Sequence, residues 1–352
     1  MAALLFLKTF PSLAFSSVCE YTVSEVHQAR SYLFSSENTI GSAPGYPGQN
    51  AQKRAHMERI FKYTIQPGDE KQTIEQYLRN RGYSHHILTH LKRTVNGICL
   101  NHTWAYTNQK PEPGDLLTIL LTEEGSDAIP AAPVPFRIVY EDEDLLVADK
   151  PADTPVHPSQ GNYENTLANG VVWYFQQKNQ PFTFRCINRL DRDTTGLLII
   201  AKHALSGAIL SAQMSRREIS RTYEALVFGT AAPSGTIDVP IGRKEGSTIE
   251  RVPDPIHGDP AVTHFETLHA GKAFSHVRLK LETGRTHQIR VHMTSIGHPL
   301  LGDTLYAPDA VHPIGRQALH SAELKFLHPI TGEPLHFTSP LPEDMKTLLE
   351  SI

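Results

Sequence analysis

Asn188-Arg189-Leu190-Asp191-Arg192-Asp193-Thr194-Thr195-Gly196 runs straight into Leu197-Leu198-Ile199-Ile200-Ala201. A charged bend containing glycine feeds an apolar, β-branched run, the pattern of a loop entering a strand. One acid, Asp191, stands between two arginines at that junction. Guanidinium groups favour the charged form of a nearby carboxylate and fix its direction, which makes Asp191 a candidate nucleophile. Taken alone it has a plainer explanation, a surface ion pair worth about 0–1 kcal/mol. The choice depends on what the rest of the chain can bring to it.

Outward from this stretch, short strands are expected at Arg137–Tyr140, Leu145–Ala148, Gly196–Ala201, Tyr223–Val227 and His276–Leu281. Helical patterns interleave over Thr166–Tyr174 and Leu205–Arg216. This spacing predicts an α+β fold over residues 136–352, a mixed, mainly antiparallel sheet with flanking helices. A smaller α+β unit is expected over residues 57–122. Its first helix places Ile74, Tyr77 and Leu78 on one face and stops at Gly82. Its second is capped by Ser84, buries Ile87, Leu88 and Leu91, and ends near Lys92 and Arg93. A short strand and turn at 95–101 and a turn at Pro113-Gly114-Asp115 lead into the strand Leu116–Leu121. Residues 123–135, rich in Ala, Pro and acids, read as a linker.

The chain has 352 residues, enough for more than one unit, and its 39% hydrophobic and 20% charged content suits a soluble globular protein. A formal net charge of -4 gives no global sign of nucleic-acid binding, though a local basic groove is compatible with an acidic remainder. Cys19, Cys99 and Cys186 show neither metal-ligand spacing nor a disulfide framework, which favours a reducing, cytoplasmic setting. At the amino terminus, Ala2 to Leu7 is too short to span a bilayer, and Lys8 follows it where a signal peptide has its charge in front. No membrane association is therefore expected. Residues 38–56 are rich in Gly, Pro, Ser, Asn and Gln. Residues 1–56 are expected to be disordered or an annotation extension, with translation starting near Met57.

A second polar constellation is Glu282-Thr283-Gly284-Arg285-Thr286-His287-Gln288-Ile289-Arg290-Val291-His292, which presents Arg285, His287 and Arg290 at an expected helical start. Clustered cations beside Thr and Gln donors suit phosphate or carboxylate contacts; the plainer alternative is a solvated basic face. A third is Arg221-Thr222-Tyr223, opening a strand. A tyrosine there is either half-buried packing or a stacking surface for a nucleobase, worth about 1–3 kcal/mol. His85, His86 and His90 have no Cys or acid partner, and no H-E-x-x-H, Gly-rich phosphate loop or G-x-S-x-G elbow is present. No metal and no cofactor are expected.

Arg189-Leu190-Asp191 through Thr194-Thr195-Gly196-Leu197-Leu198 resembles the signature of the RluA-like family of RNA pseudouridine synthases. Tyr140 to Pro151 with Val156-His157-Pro158-Ser159 is similar to that family's opening strands. Arg221-Thr222-Tyr223, Gly284 to Arg290, Gly302-Asp303, and Leu319-His320-Ser321 with His328-Pro329 follow in the family's order. The unit at 57–122 resembles the αL-type RNA-binding module of a small-subunit ribosomal protein. The resemblance implies that Asp191 is the nucleophile, that Tyr223 lies against the uracil and helps remove the proton from carbon 5, and that Arg290 holds Asp191 in an ion pair. It also implies that Arg189 occupies the space left when the target base flips out. The family commonly has His where this chain has Asn188, and Ser where it has Thr195.

Moving the ribose bond of uridine from nitrogen 1 to carbon 5 is redox-neutral. A carboxylate can attack the anomeric carbon or assist loss of the base, in a pocket that excludes water. The base must leave its helix at a cost of a few kcal/mol, so RNA contacts are expected from Arg189, Arg192, Arg221, Arg285, His287, Lys92 and Arg93. The implied substrate is large-subunit ribosomal RNA, with transfer RNA as the alternative, and the enzyme is expected to be a monomer. Arg290→Ala is expected to abolish activity with the fold retained. A non-catalytic RNA-binding protein would not need the full residue set, and a glycoside hydrolase would need a second carboxylate that the sequence does not offer beside Asp191.

Overall fold

The computed structural model describes residues 56–350. The expectations for residues 1–56 therefore fall, but for His56, outside the described residues. The first part of the described chain contains β1 (His56–Thr64), α1 (Ile74–Asn80), α2 (His85–Leu91), β2 (Ile98–Leu100), β3 (Thr103–Trp104) and β4 (Leu116–Glu124). The second helix starts at the Ser84 cap expected from sequence, and the first has a cap that was not assigned there. Thr73 closes a reciprocal capping box with Gln76, and the Ser84 hydroxyl accepts from the Ile87 amide. Ile74, Tyr77, Leu78, Ile87, Leu88 and Leu91 are all buried against the sheet, in the order β1-β4-β2-β3. The sequence reading had not assigned β1 as a strand. It pairs antiparallel with β4 along its whole length, from His56 opposite Glu124 to Thr64 opposite Leu116.

The remainder contains β5 (Arg137–Glu141), β6 (Leu145–Lys150), α3 (Leu167–Gln177), β7 (Thr195–Ala201), α4 (Ala204–Ser215), β8 (Ser220–Phe228), β9 (Ser234–Asp238), β10 (Ile241–Arg243), β11 (Arg251–Pro253), β12 (Val262–Ala270), β13 (Phe274–Leu281), α5 (Gln288–Ser295), β14 (Leu319–Leu327), β15 (Pro334–Thr338) and α6 (Glu343–Leu349). Eight strands run β5-β6-β7-β14-β8-β13-β12-β9, β15 adds to β14, and β10 with β11 forms a separate hairpin. The sheet is antiparallel except where β14 lies parallel to β7. The expected α+β, mixed and mainly antiparallel architecture is what the chain adopts.

Every residue of β7 is buried. Leu198 and Ile200 face one apolar cluster, and Leu197, Ile199 and Ala201 face another. Each of these leucine and isoleucine side chains contributes about 1.5–3 kcal/mol through burial, so the strand leaving the Asp191 bend is anchored on both faces. β14 enters between β7 and β8, with His320 opposite Thr195 and Ser321 opposite Tyr223. A late strand therefore brings the Asp191 bend and Tyr223 to the same part of the sheet.

The Asp191 bend joins β7 through Gly196, which has φ +107. A Cβ there would collide with the Ser321 carbonyl oxygen and lie 2.8 Å from the Ser321 nitrogen and carbonyl carbon. Gly196→Ala combines a disfavoured backbone with a clash against strand backbone that cannot rotate away. Its expected effect is a loss of about 3 kcal/mol or more, measured by denaturant unfolding; a loss under about 1 kcal/mol would show that β14 yields there.

Residues 125–135 form no regular element but are tied down. The Ser126 amide donates to the Phe182 carbonyl and the Ala132 amide to that of Asn169. Before them, Glu123 accepts from Arg185 at 2.6 Å and from the Ala204 amide. Across the same seam, Arg59 of β1 grips Asp144 through two bonds of 2.9 and 3.2 Å, and His203 Nε2 meets that carboxylate at 2.9 Å. Burial opposes the charge on Asp144, yet His203 and Arg59 hold its carboxyl down at about 2. Leu205 of α4 lies in the same apolar cluster as the first unit, with Ala204, Ala208 and Ile209 packed beside it.

One expected element starts later than its sequence pattern indicates. Helix α5 begins at Gln288, so Arg285 lies in the preceding turn. The Gln288 side-chain oxygen accepts from the Arg285 amide at 3.0 Å and from the Thr283 hydroxyl at 2.8 Å, which folds residues 283–288 into a tight turn. His287 closes that turn in a left-handed conformation, φ +59.

Candidate active site

The Asp191 bend is held from several sides. Asn188 is buried, its Oδ1 accepts from the Ile199 amide at 2.9 Å, and its Nδ2 donates to the Leu197 carbonyl at 3.4 Å. A neutral side chain with both a donor and an acceptor thus laces the bend to β7. The Asp191 carbonyl accepts from the Thr194 amide at 3.1 Å. The fully buried Lys150 donates to the carbonyls of Arg192 and Pro151, both at 2.7 Å. Burial brings the Lys150 ammonium down to about 7, against the pull of Asp193 and Asp191. Arg316 donates to the Asp193 carbonyl at 3.2 Å. Thr195, in turn, meets His320 Nδ1 at 2.9 Å.

Asp191 faces a cavity of about 1210 Å³ with its side chain 25% exposed. Its Oδ2 accepts from Arg290 Nη1 at 3.2 Å, and His287 Nε2 lies 4.0 Å from the same oxygen. Its Oδ1 has no hydrogen-bond partner among the described residues. Arg290 is only 7% exposed. Its other face forks onto Asp303, with Nε and Nη2 donating at 2.7 and 2.9 Å. Burial works against the guanidinium charge, but Asp303 and Asp191 raise its pKa above the ordinary arginine value. One carboxylate is thus presented by a cation that a second, deeply buried carboxylate keeps in place.

Tyr223, on β8, is 4% exposed and lines the cavity. Burial raises its phenol above the ordinary range, so it stays protonated at neutral pH. Arg189 is exposed at the cavity wall, with no acid partner among the described residues. Arg192 is also exposed and pairs with Asp193 at 3.3 Å and Asp153 at 3.6 Å. Arg221 is 8% exposed, lines the cavity, donates to the Thr283 carbonyl at 3.3 Å, and leaves its buried Nε without a partner. Arg285 lines the same cavity and donates to the Pro260 carbonyl at 3.1 Å.

Lys92 and Arg93 are absent from the cavity wall. Both are exposed at the end of α2, where Lys92 pairs with Glu75 at 2.9 Å. The structure therefore gathers Asp191, Tyr223, Arg290, Arg189, Arg192, Arg221, Arg285 and His287 around one cavity and leaves the two cations of the first unit elsewhere. Sequence reasoning gave no role to Asp303, Tyr306, Lys150 or Arg316. The signal for Asp303 and Lys150 was their presence inside quoted motifs, Gly302-Asp303 and Asp149-Lys150-Pro151.

Among the described residues, Asp142, Asp144 and His328 bring ligand-type atoms within 4.8 Å of one another. These atoms are already engaged: Tyr140 and His328 meet Asp142 Oδ2, and Arg59 and His203 meet Asp144. The group is a hydrogen-bonded brace at the seam beside β1.

The RNA pseudouridylate synthase family profile matches residues 144–295, which span the Asp191 bend, Tyr223 and Arg290. An uncharacterized RNA pseudouridine synthase of Bacillus subtilis, YjbO, is 42% identical over 280 residues, covering 79% of this chain and 98% of that protein. The chain belongs to the RNA pseudouridine synthase family. This pseudouridine synthase is thus an isomerase whose substrate is RNA, as its RluA-like motifs imply. The ribosomal large subunit pseudouridine synthase D of Vibrio vulnificus is also similar to it, 40% identical over 68% of this chain and 77% of that protein. The solved structure of human RNA pseudouridylate synthase domain containing 4 shares the synthase's fold, with a TM-score of 0.50 at 23% identity over 60% of this chain and 91% of that one. Among the described residues of the synthase, no helix is long and apolar enough to cross a membrane.

Proposed function

We propose that the enzyme converts a uridine of large-subunit ribosomal RNA to pseudouridine, with Asp191 as nucleophile. The observation that carries the assignment is the one-sided engagement of Asp191. Arg290 holds Oδ2 while Oδ1 stands unpartnered at the wall of the cavity. An oriented carboxylate with one free oxygen is what attack on the ribose, or assistance to loss of its base, requires.

Tyr223 lies against the uracil. Because burial keeps it a phenol and not a standing phenolate, it takes the proton from carbon 5 only as its own hydroxyl proton leaves, and the net proton goes to nitrogen 1, which has lost its bond to ribose. Arg189, exposed and unpaired by acids, fills the gap in the RNA stack once the base has flipped out. Arg192, Arg221 and Arg285 contact the phosphates and polar edges around it. Residues 57–122 act as an RNA-binding module that uses Lys92 and Arg93 on RNA beyond the cavity. Residues 123–135 join this module to the catalytic unit at 136–352. The enzyme works as a monomer in the cytoplasm. A net charge of -4 is compatible with an RNA substrate because the cations converge locally.

The choice of RNA is supported by relatives named for the large ribosomal subunit, such as that of Vibrio vulnificus. Deleting the gene and mapping pseudouridine across cellular RNA by mass spectrometry tests it. The expected result is loss of one or a few pseudouridines confined to large-subunit ribosomal RNA. Loss confined to transfer RNA would move the substrate, and an unchanged map would overturn the proposal.

A further inference from the structure

Asp191 has a second neighbour whose placement the ion pair with Arg290 does not explain. His287 adopts a left-handed backbone, φ +59, which histidine enters more readily than most side chains and which sets the direction of its ring at the start of α5. Its side chain is only 11% exposed, and its Nε2 lies 4.0 Å from Asp191 Oδ2, just beyond hydrogen-bond length. Its Nδ1 meets the Tyr306 hydroxyl at 2.9 Å. That hydroxyl already accepts the Arg251 amide of β11 at 2.9 Å. With the Arg251 amide already on that oxygen, we read the Tyr306 hydroxyl as the donor to His287 Nδ1, which leaves the single proton of the neutral imidazole on Nε2. The ring of Tyr306 also packs edge-on against His287 at 5.7 Å between centroids and lies 5.0 Å from the Arg290 guanidinium carbon.

We propose that Tyr306 and His287 are positioning residues for Asp191: Tyr306 fixes the imidazole tautomer, and His287 keeps an N–H 4.0 Å from Oδ2, poised to tighten onto it when RNA is seated. The inference rests on the reading of Asp191 as the nucleophile. An N–H at that place, added to the Arg290 bond, limits rotation of the carboxylate and leaves Oδ1 for the substrate. On this reading His287 serves Asp191, with its Nδ1 engaged by Tyr306, where the sequence led to an expectation of RNA contact. The linkage also ties the hairpin of β10 and β11, whose connecting residues Thr248 and Ile249 line the cavity, to the reacting carboxylate through a single backbone amide.

The groups that face His287 are Asp191, Arg290, Asp303, Arg251 and Tyr306. Burial lowers its pKa, against the pull of Asp191, so the imidazole is neutral at physiological pH. As pH falls through that lowered value, Nδ1 gains a proton, Tyr306 loses its acceptor, and a positive charge arises beside Arg290. Turnover should fall along an acid limb to which His287 contributes.

The test uses the full-length enzyme in excess over RNA extracted from the deletion strain, which contains whichever uridine is the target. Pseudouridine formation is followed at several enzyme concentrations. Tyr306→Phe and His287→Ala are expected to lower the limiting rate about 10- to 100-fold, with the half-saturating enzyme concentration unchanged within about 2-fold. His287→Gln restores an N–H at the same reach, so it should recover most of the loss and shift the acid limb. Thermal melts of the variants check folding. Should His287→Ala fail to fold, Tyr306→Phe, which removes a single oxygen, decides the matter. Variants that raise the half-saturating concentration at an unchanged limiting rate would make His287 an RNA contact and overturn the proposal. Wild-type rates for both Tyr306→Phe and His287→Ala, with an acid limb that His287→Gln leaves unmoved, would do the same. If the wild type converts only transfer-RNA sites in this mixture, the ribosomal-RNA reading fails while the His287 comparison stands on those sites. If Asp191→Asn proves active in the same assay, the nucleophile reading fails, and this inference with it.

Discussion

Asp191→Asn should form no detectable pseudouridine, a loss of roughly 10⁴-fold or more, while binding RNA with an affinity close to that of the wild type. An amide keeps the shape and one acceptor oxygen of the carboxylate but is not a nucleophile toward an anomeric carbon. The geometry also says why the fold survives. Asp191 is partly exposed, and its one hydrogen-bonded cation among the described residues, Arg290, is gripped on its other face by Asp303 through two further bonds. Neutralising Asp191 therefore leaves no buried charge unmatched. The backbone of the bend is pinned through Asn188, Lys150 and Arg316 and not through the Asp191 side chain. The measurement is pseudouridine yield by mass spectrometry alongside an RNA-binding titration on the same protein. Wild-type yield from Asp191→Asn would remove Asp191 from the chemistry. Lost yield together with lost binding would mean that the side chain shapes the RNA site.

The parts of this site legible in the sequence are those with local signatures. Ser84 announces a helix start, and the apolar run 197–201 announces β7, because caps and side-chain patterning act over a few residues. The Asp191 bend was legible for the same reason. The insertion of β14 between β7 and β8 has no local signature, since pairing Ser321 with Tyr223 closes a loop of about a hundred residues and depends on the whole sheet. Without it nothing places Tyr223 near Asp191, and only the ordered resemblance of several motifs carried that step. His287 shows a different limit. Its sequence neighbours are cations, which suggested RNA contact, but its orientation is set by a left-handed backbone and by Tyr306, nineteen positions on. Arg285 was assigned to the helix because the pattern begins there, whereas the Gln288 side chain folds back and delays the first turn.

Arg290→Ala should both inactivate and destabilise the enzyme, against the expectation from sequence that the fold is retained. The reason is Asp303, 1% exposed, whose two oxygens each accept one bond from Arg290. Removing the guanidinium strands a carboxylate away from water, and breaking a buried pair from one side typically costs about 3–5 kcal/mol. Asp303 Oδ1 also accepts the Leu305 and Tyr306 amides, both at 3.3 Å, so the damage reaches the turn that carries Tyr306. Adding Asp303→Asn separates the two effects. The amide is neutral yet keeps an acceptor for those backbone groups, so Arg290→Ala with Asp303→Asn should regain most of the lost stability. It should remain inactive, because nothing then holds Asp191. Denaturant unfolding gives the first quantity and pseudouridine yield the second. A double variant that regains activity along with stability would show that Arg290 serves the fold alone and that Asp191 needs no cation; full stability in the Arg290→Ala single variant would show that water reaches Asp303. Arg290→Lys should fall between them, since an ammonium supplies charge but cannot fork onto Asp303 and still reach Asp191.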